Sequence, residues 1–337
     1  MIITAIAFVS LHRDARITSI EALPSATRHP LQVRGLGGNA SGYAVGMSTV
    51  FIDGRGGPGP QVWTPKHESV LLPIPPKGQH AILRAINKDG TAVGEYQLPQ
   101  GEQMFIWDAK AGKEITPNLG VRSSAWGIND DGVILGDHMQ EAEGHFIGIK
   151  YVGGHVTELP PANNYLCSLA THINATGTIV GYSYGSNKPN KDEVATVWKE
   201  GQQPKTLPLS PGTTLSTACC LNDAGTVVGE CHGGSAQKGG GFIYDGNGIK
   251  EIPNLGQRCL PAWINNSGQV VGTVVGKGSS ESGFIFQDGQ STDLNVLLPP
   301  NSGWKIEEAN WIGEDGTIVG SGRLNGKPCA FVLHLAS

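Results

Sequence analysis

The apolar positions of this chain fall in short runs broken by one recurring polar interruption. The phrase is a β-branched or leucine residue, Asn, two polar residues, Gly, a small apolar pair and a second Gly. Ile86-Asn87-Lys88-Asp89-Gly90-Thr91-Ala92-Val93-Gly94 and Ile128-Asn129-Asp130-Asp131-Gly132-Val133-Ile134-Leu135-Gly136 are successive copies. Others run over 173–181, 221–229 and 264–272, with a degenerate copy at 312–320 and an eroded first one at 39–46. The first glycine of each copy stands at 42, 90, 132, 177, 225, 268 and 316, giving steps of 48, 42, 45, 48, 43 and 48. A period of roughly 20 to 50 residues marks an array of like supersecondary units.

Each unit reads as four strands. The first ends at the Ile-Asn of the phrase, and Asn-x-Asp-Gly is turn chemistry, with Gly supplying a positive φ. The second is the apolar pair that follows. The third is seen as Phe105-Ile106-Trp107, Phe146-Ile147, Val197-Trp198, Phe242-Ile243-Tyr244, Phe284-Ile285-Phe286 and Phe331-Val332-Leu333. The fourth is a short run such as Glu114-Ile115-Thr116 or Val156-Thr157-Glu158-Leu159. Because the third strand is apolar at consecutive residues, both its faces must be covered. Four-stranded sheets stacked around an axis satisfy that requirement, so the pattern predicts an all-β, seven-bladed β-propeller of antiparallel blades. The last copy lacks a fourth strand, and Ile17-Thr18-Ser19-Ile20-Glu21-Ala22-Leu23-Pro24 matches what is missing. Pairing the two would close the ring and remove its open edges. The expected organisation is one domain over 1–337, its last blade built from about 305–337 plus about 15–24. Residues 1–14 have no place in this scheme.

Composition sharpens the picture further. Gly is 49 of 337 and charged residues only 16%, which suits many tight turns between buried strands. A net charge of −5 without any Lys/Arg run argues against nucleic acid as a partner. No apolar stretch reaches the ~20 residues a membrane helix needs. The apolar start, Met1 to Val9, lacks a cationic region and a small-residue cleavage site, and reads as a strand. The six cysteines have no metal-ligand spacing and read as buried thiols, which points to a reducing, cytoplasmic location.

Phe105-Ile106-Trp107, Gly112, Leu119-Gly120, Ser124-Ala125 and the phrase from Ile128 to Gly136 resemble the HAF repeat of bacterial proteins. His145 before Phe146 is the copy that keeps that motif's His. The resemblance spans nearly the whole chain and implies a propeller-like array, often exported. It implies no activity and no catalytic residues.

Topology selects one end of the ring for a site. The second-to-third loops and the connections between blades share that end, and binding residues favour variable loops on rigid scaffolds. Counting from each closing Gly to Trp63, Trp107, Gly148, Trp198, Tyr244, Phe286 and Leu333 gives 17, 13, 12, 17, 15, 14 and 13 residues. The residues just after the closing glycines are Met47, Glu95, Asp137, Tyr182, Glu230, Thr273 and Ser321. Glu95, Asp137 and Glu230 are candidate ligands for a divalent metal, with His138 or His172 as candidate general bases. Arg84, Tyr96, Tyr182, Tyr184, His232, Trp263 and Trp311 are candidate ligand-binding residues, as aromatic walls with a few polar groups suit a pocket. No nucleophile stands in a GxSxG elbow, and the Gly-rich 233–241 segment lacks the strand-turn-helix context of a phosphate loop. Two functions follow. One is a binding module offering loops 47–60 and 182–195, with Phe51, Ile52, Asn187, Lys188 and Asn190, to a protein, glycan or small molecule. The other is a mouth-sited lyase or hydrolase that uses a metal or the His/carboxylate cluster.

Overall fold

The computed structural model describes residues 16–27, 31–52, 55–76, 78–108, 111–117, 119, 122–140, 144–185, 192–233, 239–255, 258–276 and 281–336. They form seven four-stranded antiparallel sheets and, apart from a 3-10 turn at Leu294–Leu297, no helix. Blade I is β2–β5 (Val33–Gly38, Ala44–Ile52, Arg55–Trp63, Ser69–Leu71) and blade II is β6–β9 (Ala81–Ile86, Ala92–Leu98, Gly101–Asp108, Lys113–Glu114). Blade III is β10–β13 (Ser123–Ile128, Ile134–Gln140, His145–Val152, His155–Leu159). Blade IV is β14–β17 (Cys167–Ile173, Ile179–Tyr184, Glu193–Trp198, Lys205–Thr206). Blade V is β18–β21 (Leu215–Leu221, Val227–His232, Gly240–Tyr244, Ile249–Glu251) and blade VI is β22–β25 (Arg258–Ile264, Val270–Val275, Glu281–Gln287, Gln290–Asp293). Blade VII joins β26–β28 (Trp304–Ile312, Thr317–Leu324, Lys327–Leu335) to β1 (Ile17–Leu23), which pairs antiparallel with β28 as its outer strand. The ring is a seven-bladed propeller closed by the N-terminal strand, as the repeat pattern predicts. Residues 1–14 lie outside the described residues, as do Asn187, Lys188 and Asn190.

No blade has a core of its own. Met104, Phe105 and Ile106 of β8 are all fully buried, which is the double-sided burial that the run of apolar residues requires. Val93, Met104 and Ile106 of blade II pack with Ala125, Ile134 and Ile149 of blade III, and Val180 and Ala195 of blade IV with Ala218, Leu221 and Phe242 of blade V.

The repeated phrase has two tasks. Within its turn the Asn side chain accepts backbone N–H groups two and four residues on, as Asn87 Oδ1 does from Asp89 and Thr91 at 3.1 and 3.0 Å. In four copies its amide also donates to the next blade. Asn39 Nδ2 reaches the Asn87 carbonyl at 2.6 Å, Asn174 that of Asn222 at 3.0 Å, Asn222 that of Asn265 at 3.2 Å and Asn265 that of Gly313 at 3.0 Å. The closing glycine answers a different demand. In every blade a Cβ there would strike the carbonyl of an inner-strand residue, for instance Ile82 for Gly94 and Ser124 for Gly136. Beside that contact each inner strand carries a β-bulge, so one residue (Leu36, Arg84, Trp126, Thr171, Cys219, Ala262 or Asn310) has no partner across the ladder.

Three expectations are corrected. Blade III pairs Gly136 with Ile149 and Ile134 with Tyr151, the positions that Phe105 and Trp107 hold in blade II. Its third-strand core run is therefore Ile149-Lys150-Tyr151, and Phe146 lies three residues earlier on the strand, paired with Met139. Residues 47–60 are no irregular loop but the long β3–β4 hairpin, with Phe51 60% exposed; the Ile52 side chain lies outside the described residues. Neither Trp263 nor Trp311 is a free wall. Trp263 meets His172 edge-on at 4.6 Å across the central channel, and Trp311 is buried against Gly38. None of the six cysteines forms a disulfide.

Asn222→Ala removes both a buried turn acceptor and an inter-blade donor, so it is expected to destabilise the protein by about 2 kcal/mol. Asn247→Ala, at an exposed turn, is expected to change stability by less than about 0.5 kcal/mol. Urea denaturation of the two variants checks the belt; equal midpoints would show that it carries no stability.

Candidate functional site

The bulge position shows where the ring departs from its own rule. In three blades the bulged side chain ties one blade to the next. The Thr171 hydroxyl sits 3.0 Å from the Val180 carbonyl and 2.9 Å from that of Ala218 in blade V. Cys219 Sγ repeats the arrangement at 3.4 Å from Val228 and 3.1 Å from Pro261 of blade VI. Asn310 Nδ2 donates to the Gly35 carbonyl of blade I at 2.9 Å. Blades I and VI carry the apolar Leu36 and Ala262 there, and blades II and III carry Arg84 and Trp126.

Trp126 Nε1 donates to Asp137 Oδ1 at 2.5 Å. Arg84 lies behind the indole, its guanidinium carbon 4.1 Å from the ring centroid. The same guanidinium is held by both oxygens of Glu95, at 2.8 and 2.5 Å. Trp126 and Asp137 open on a cavity of about 500 Å³ at the predicted mouth. Blade II contributes Gln97, Gly101 and Glu102 to it, blade III Ser124 and Phe146, and blade IV Leu169, Tyr182 and Tyr184, with Arg122 at the rim. The two tyrosine rings stand 5.8 Å apart and tilted at 41°.

Asp137 is 5% exposed, and among the described residues Trp126 is its one hydrogen-bond partner. Burial raises its carboxyl pKa to about 7; the Trp126 bond opposes the rise, Glu95 and Glu102 add to it, and Arg84 offsets it in part. Tyr182 is pushed up by burial, by Glu193 and by Asp137. Tyr184 is pushed up by burial, by Cys167, by Asp137 and by Tyr182.

The remaining candidates are scattered. Tyr96 is buried against Phe105, ring centroids 6.0 Å apart, with its hydroxyl on Gln103 at 2.9 Å. His232 and Glu230 belong to blade V, and Glu230 faces Arg258 at 3.5 Å. His138 points to Glu158 at 3.3 Å. His172, half-buried beside Trp263, has its pKa lowered by burial to about 4, so it is neutral and weakly basic rather than poised near pH 7. Glu95, Asp137 and Glu230 are not brought together: among the described residues no group of three or more His, Cys, Asp or Glu side chains is placed to hold a metal ion. Phe146, Ser124 and Leu169 were not among the expected site residues. The signal that could have found the site is the pair of large polar-tipped side chains, Arg84 and Trp126, at the bulge in two adjacent copies.

The comparisons with known proteins place the chain. It belongs to the family described as "Protein of unknown function (DUF3466)", whose profile matches residues 138–328, more than half of its length. This corrects the resemblance to the HAF repeat, for which no match appears. A search of curated proteins found no match. Among solved structures, the β-propeller domain of the Trilobed protease from Pyrococcus furiosus is similar at a TM-score of 0.59 and 13% identity, covering 91% of this chain and 94% of that one. The acylaminoacyl peptidase of Pyrococcus horikoshii gives 0.59 and 13% over 90% of this chain and 51% of that one. Virginiamycin B lyase from Staphylococcus aureus gives 0.54 and 12% over 96% and 100%. At such identities these likenesses establish the fold and nothing about the site. Among the described residues no helix is long and apolar enough to cross a membrane.

Asp137 keeps its proton in the folded state up to about pH 7, whereas an unfolded aspartate loses it near pH 4. The folded protein therefore binds the extra proton between those values, and this contribution to stability is full below pH 4 and is lost as pH rises to 7. The stability difference between wild type and Asp137→Asn should accordingly fall by up to about 1.4 kcal/mol per pH unit over that window, then level off. Urea midpoints taken from pH 4 to 8 test it, and parallel curves would contradict the buried acid.

Proposed function

We propose that this propeller binds a small organic molecule in the cavity between blades II and IV. The observation that carries the reading is the changed task of the bulge. In blades II and III the bulge carries Arg84 and Trp126, which stack on each other across the two blades and support and line a cavity of about 500 Å³ with a buried acid. A cavity of that size, walled by Trp126, Phe146, Tyr182 and Tyr184 with few polar groups, has the make-up of a small-molecule site. It supports a small ligand over a protein or glycan on the β3–β4 hairpin, where Phe51 stands exposed.

A second reading has its own observation. A carboxyl with a pKa near 7, opening on a cavity beside Ser124 and Tyr182, suits general acid–base work at neutral pH. In that case Asp137 would move the proton, and the enzyme would be a lyase or hydrolase that draws on neither His138 nor His172. The fold favours neither reading, since it hosts unrelated functions.

A thermal-shift screen of a small-molecule library against wild type and Leu169→Trp, which fills the cavity, tests the binding reading. Compounds that bind the folded protein raise its melting temperature by mass action, and these shifts are expected to vanish in the variant. Hits that shift both proteins equally would place binding elsewhere. Time-dependent conversion of a hit, abolished in Asp137→Asn, would select the second reading.

A further inference from the structure

The cavity also carries information about the charge of its ligand, an inference that rests on the small-molecule reading above. Trp126 takes Asp137 Oδ1 and leaves Oδ2 without a hydrogen-bond partner among the described residues, on a side chain that is 5% exposed and lines the cavity. The nearest guanidinium does not neutralise this acid, because both Glu95 oxygens already hold Arg84. The charged side chains that line the cavity besides Asp137 are Glu102 and the solvent-exposed Arg122. Opposite Asp137 stand Tyr182 and Tyr184, aromatic rings whose faces attract cations. We propose that the cavity is a site for an organic ammonium ion, a primary amine on a flat or aromatic body, with its N–H donated to Asp137 Oδ2 and its body against Tyr182 and Tyr184.

The electrostatics of the site agree with that assignment. Asp137, Tyr182 and Tyr184 are all driven toward their protonated forms by burial and by mutual negative charge, with Glu95, Glu102 and Glu193 adding to the negative side and Arg84 opposing it. A bound cation supplies the missing positive charge. Its binding would displace the Asp137 proton, so affinity is coupled to pH. A charge-assisted bond of this kind is stronger than a neutral one, and a buried cation–π contact adds to it.

Phenethylamine and its neutral counterpart 2-phenylethanol are the probes, titrated calorimetrically against the full chain. At pH 8 the amine is expected to bind at least tenfold more tightly than the alcohol. Below about pH 7 the amine's affinity should fall by up to tenfold per unit while the alcohol's stays constant. Asp137→Asn should erase the preference and the pH dependence. Tyr182→Leu, which leaves the acid in place, should weaken the amine several-fold, and it keeps the test open if Asp137→Asn does not fold. Equal affinities, or a preference that survives Asp137→Asn, would overturn the ammonium assignment while leaving the cavity reading intact. Binding of neither probe to wild type, or equal binding to wild type and Leu169→Trp, would overturn both.

Discussion

The extra residue in each inner strand is the constraint from which the rest of this ring follows. It sits beside the place where an inner-strand carbonyl presses on the second strand, so the facing residue must be glycine in all seven copies. It also leaves a side chain and ladder groups at the crowded centre without a partner across the ladder, and such groups are costly to bury unsatisfied. Thr171, Cys219 and Asn310 answer by bridging to the next blade, so that one local irregularity becomes a blade-to-blade joint. Burial, with Glu230 and Cys220, holds the Cys219 thiol in its neutral form, as a hydrogen-bonding role requires.

Volume around the axis is shared between the bulge and the residue after it. Where the bulge is large, its successor is small: Arg84 precedes Ala85 and Trp126 precedes Gly127. Where the bulge is small or modest the successor is large, as in Thr171-His172, Ala262-Trp263 and Asn310-Trp311. His172 and Trp263 thus meet across the channel, Trp311 packs between blades VII and I, and blades II and III put their bulk at the mouth. The off-axis cavity goes with that asymmetry of packing. The seam between blades VII and I is a further departure. Gly313 has no amide to hand on to blade I, and that junction is held by the Arg34–Glu308 pair at 2.6 Å, by Asn310 on Gly35 and by strand β1.

Much of this was legible in the chain. The Asn-x-x-Gly turns recur because backbone geometry demands them, so strand count, ring closure and the mouth could be read from spacing alone. Asp137, expected there as a metal ligand, and Tyr182 both line the cavity because the residue after the closing Gly is fixed at that end by topology. Glu95 and Glu230 hold the same position, yet their charges are spent on Arg84 and Arg258, partners from inner strands whose register depends on the bulge. No single-sequence pattern reveals that offset. Phe146 was misplaced for a related reason: it lies at the start of a third strand longer than the repeat suggests, and only the pairing of Gly136 with Ile149 shows that the core run begins three residues later.

The position after the closing glycine also bears on why Asp137 is an acid at all. Met47, Thr273 and Ser321 occupy it in other blades, so the fold has no need of a carboxylate there. Holding one nearly buried with a single indole donor costs on the order of a few kcal/mol relative to an uncharged residue. Trp126 and the Arg84–Glu95 pair behind it add two more departures from the repeat, and all of them converge on this one group. A stability requirement would remove that acid. Its place beside Trp126, Tyr182 and Tyr184, facing an open cavity, is accounted for by the proposed binding or proton-handling role and not by the packing of the ring.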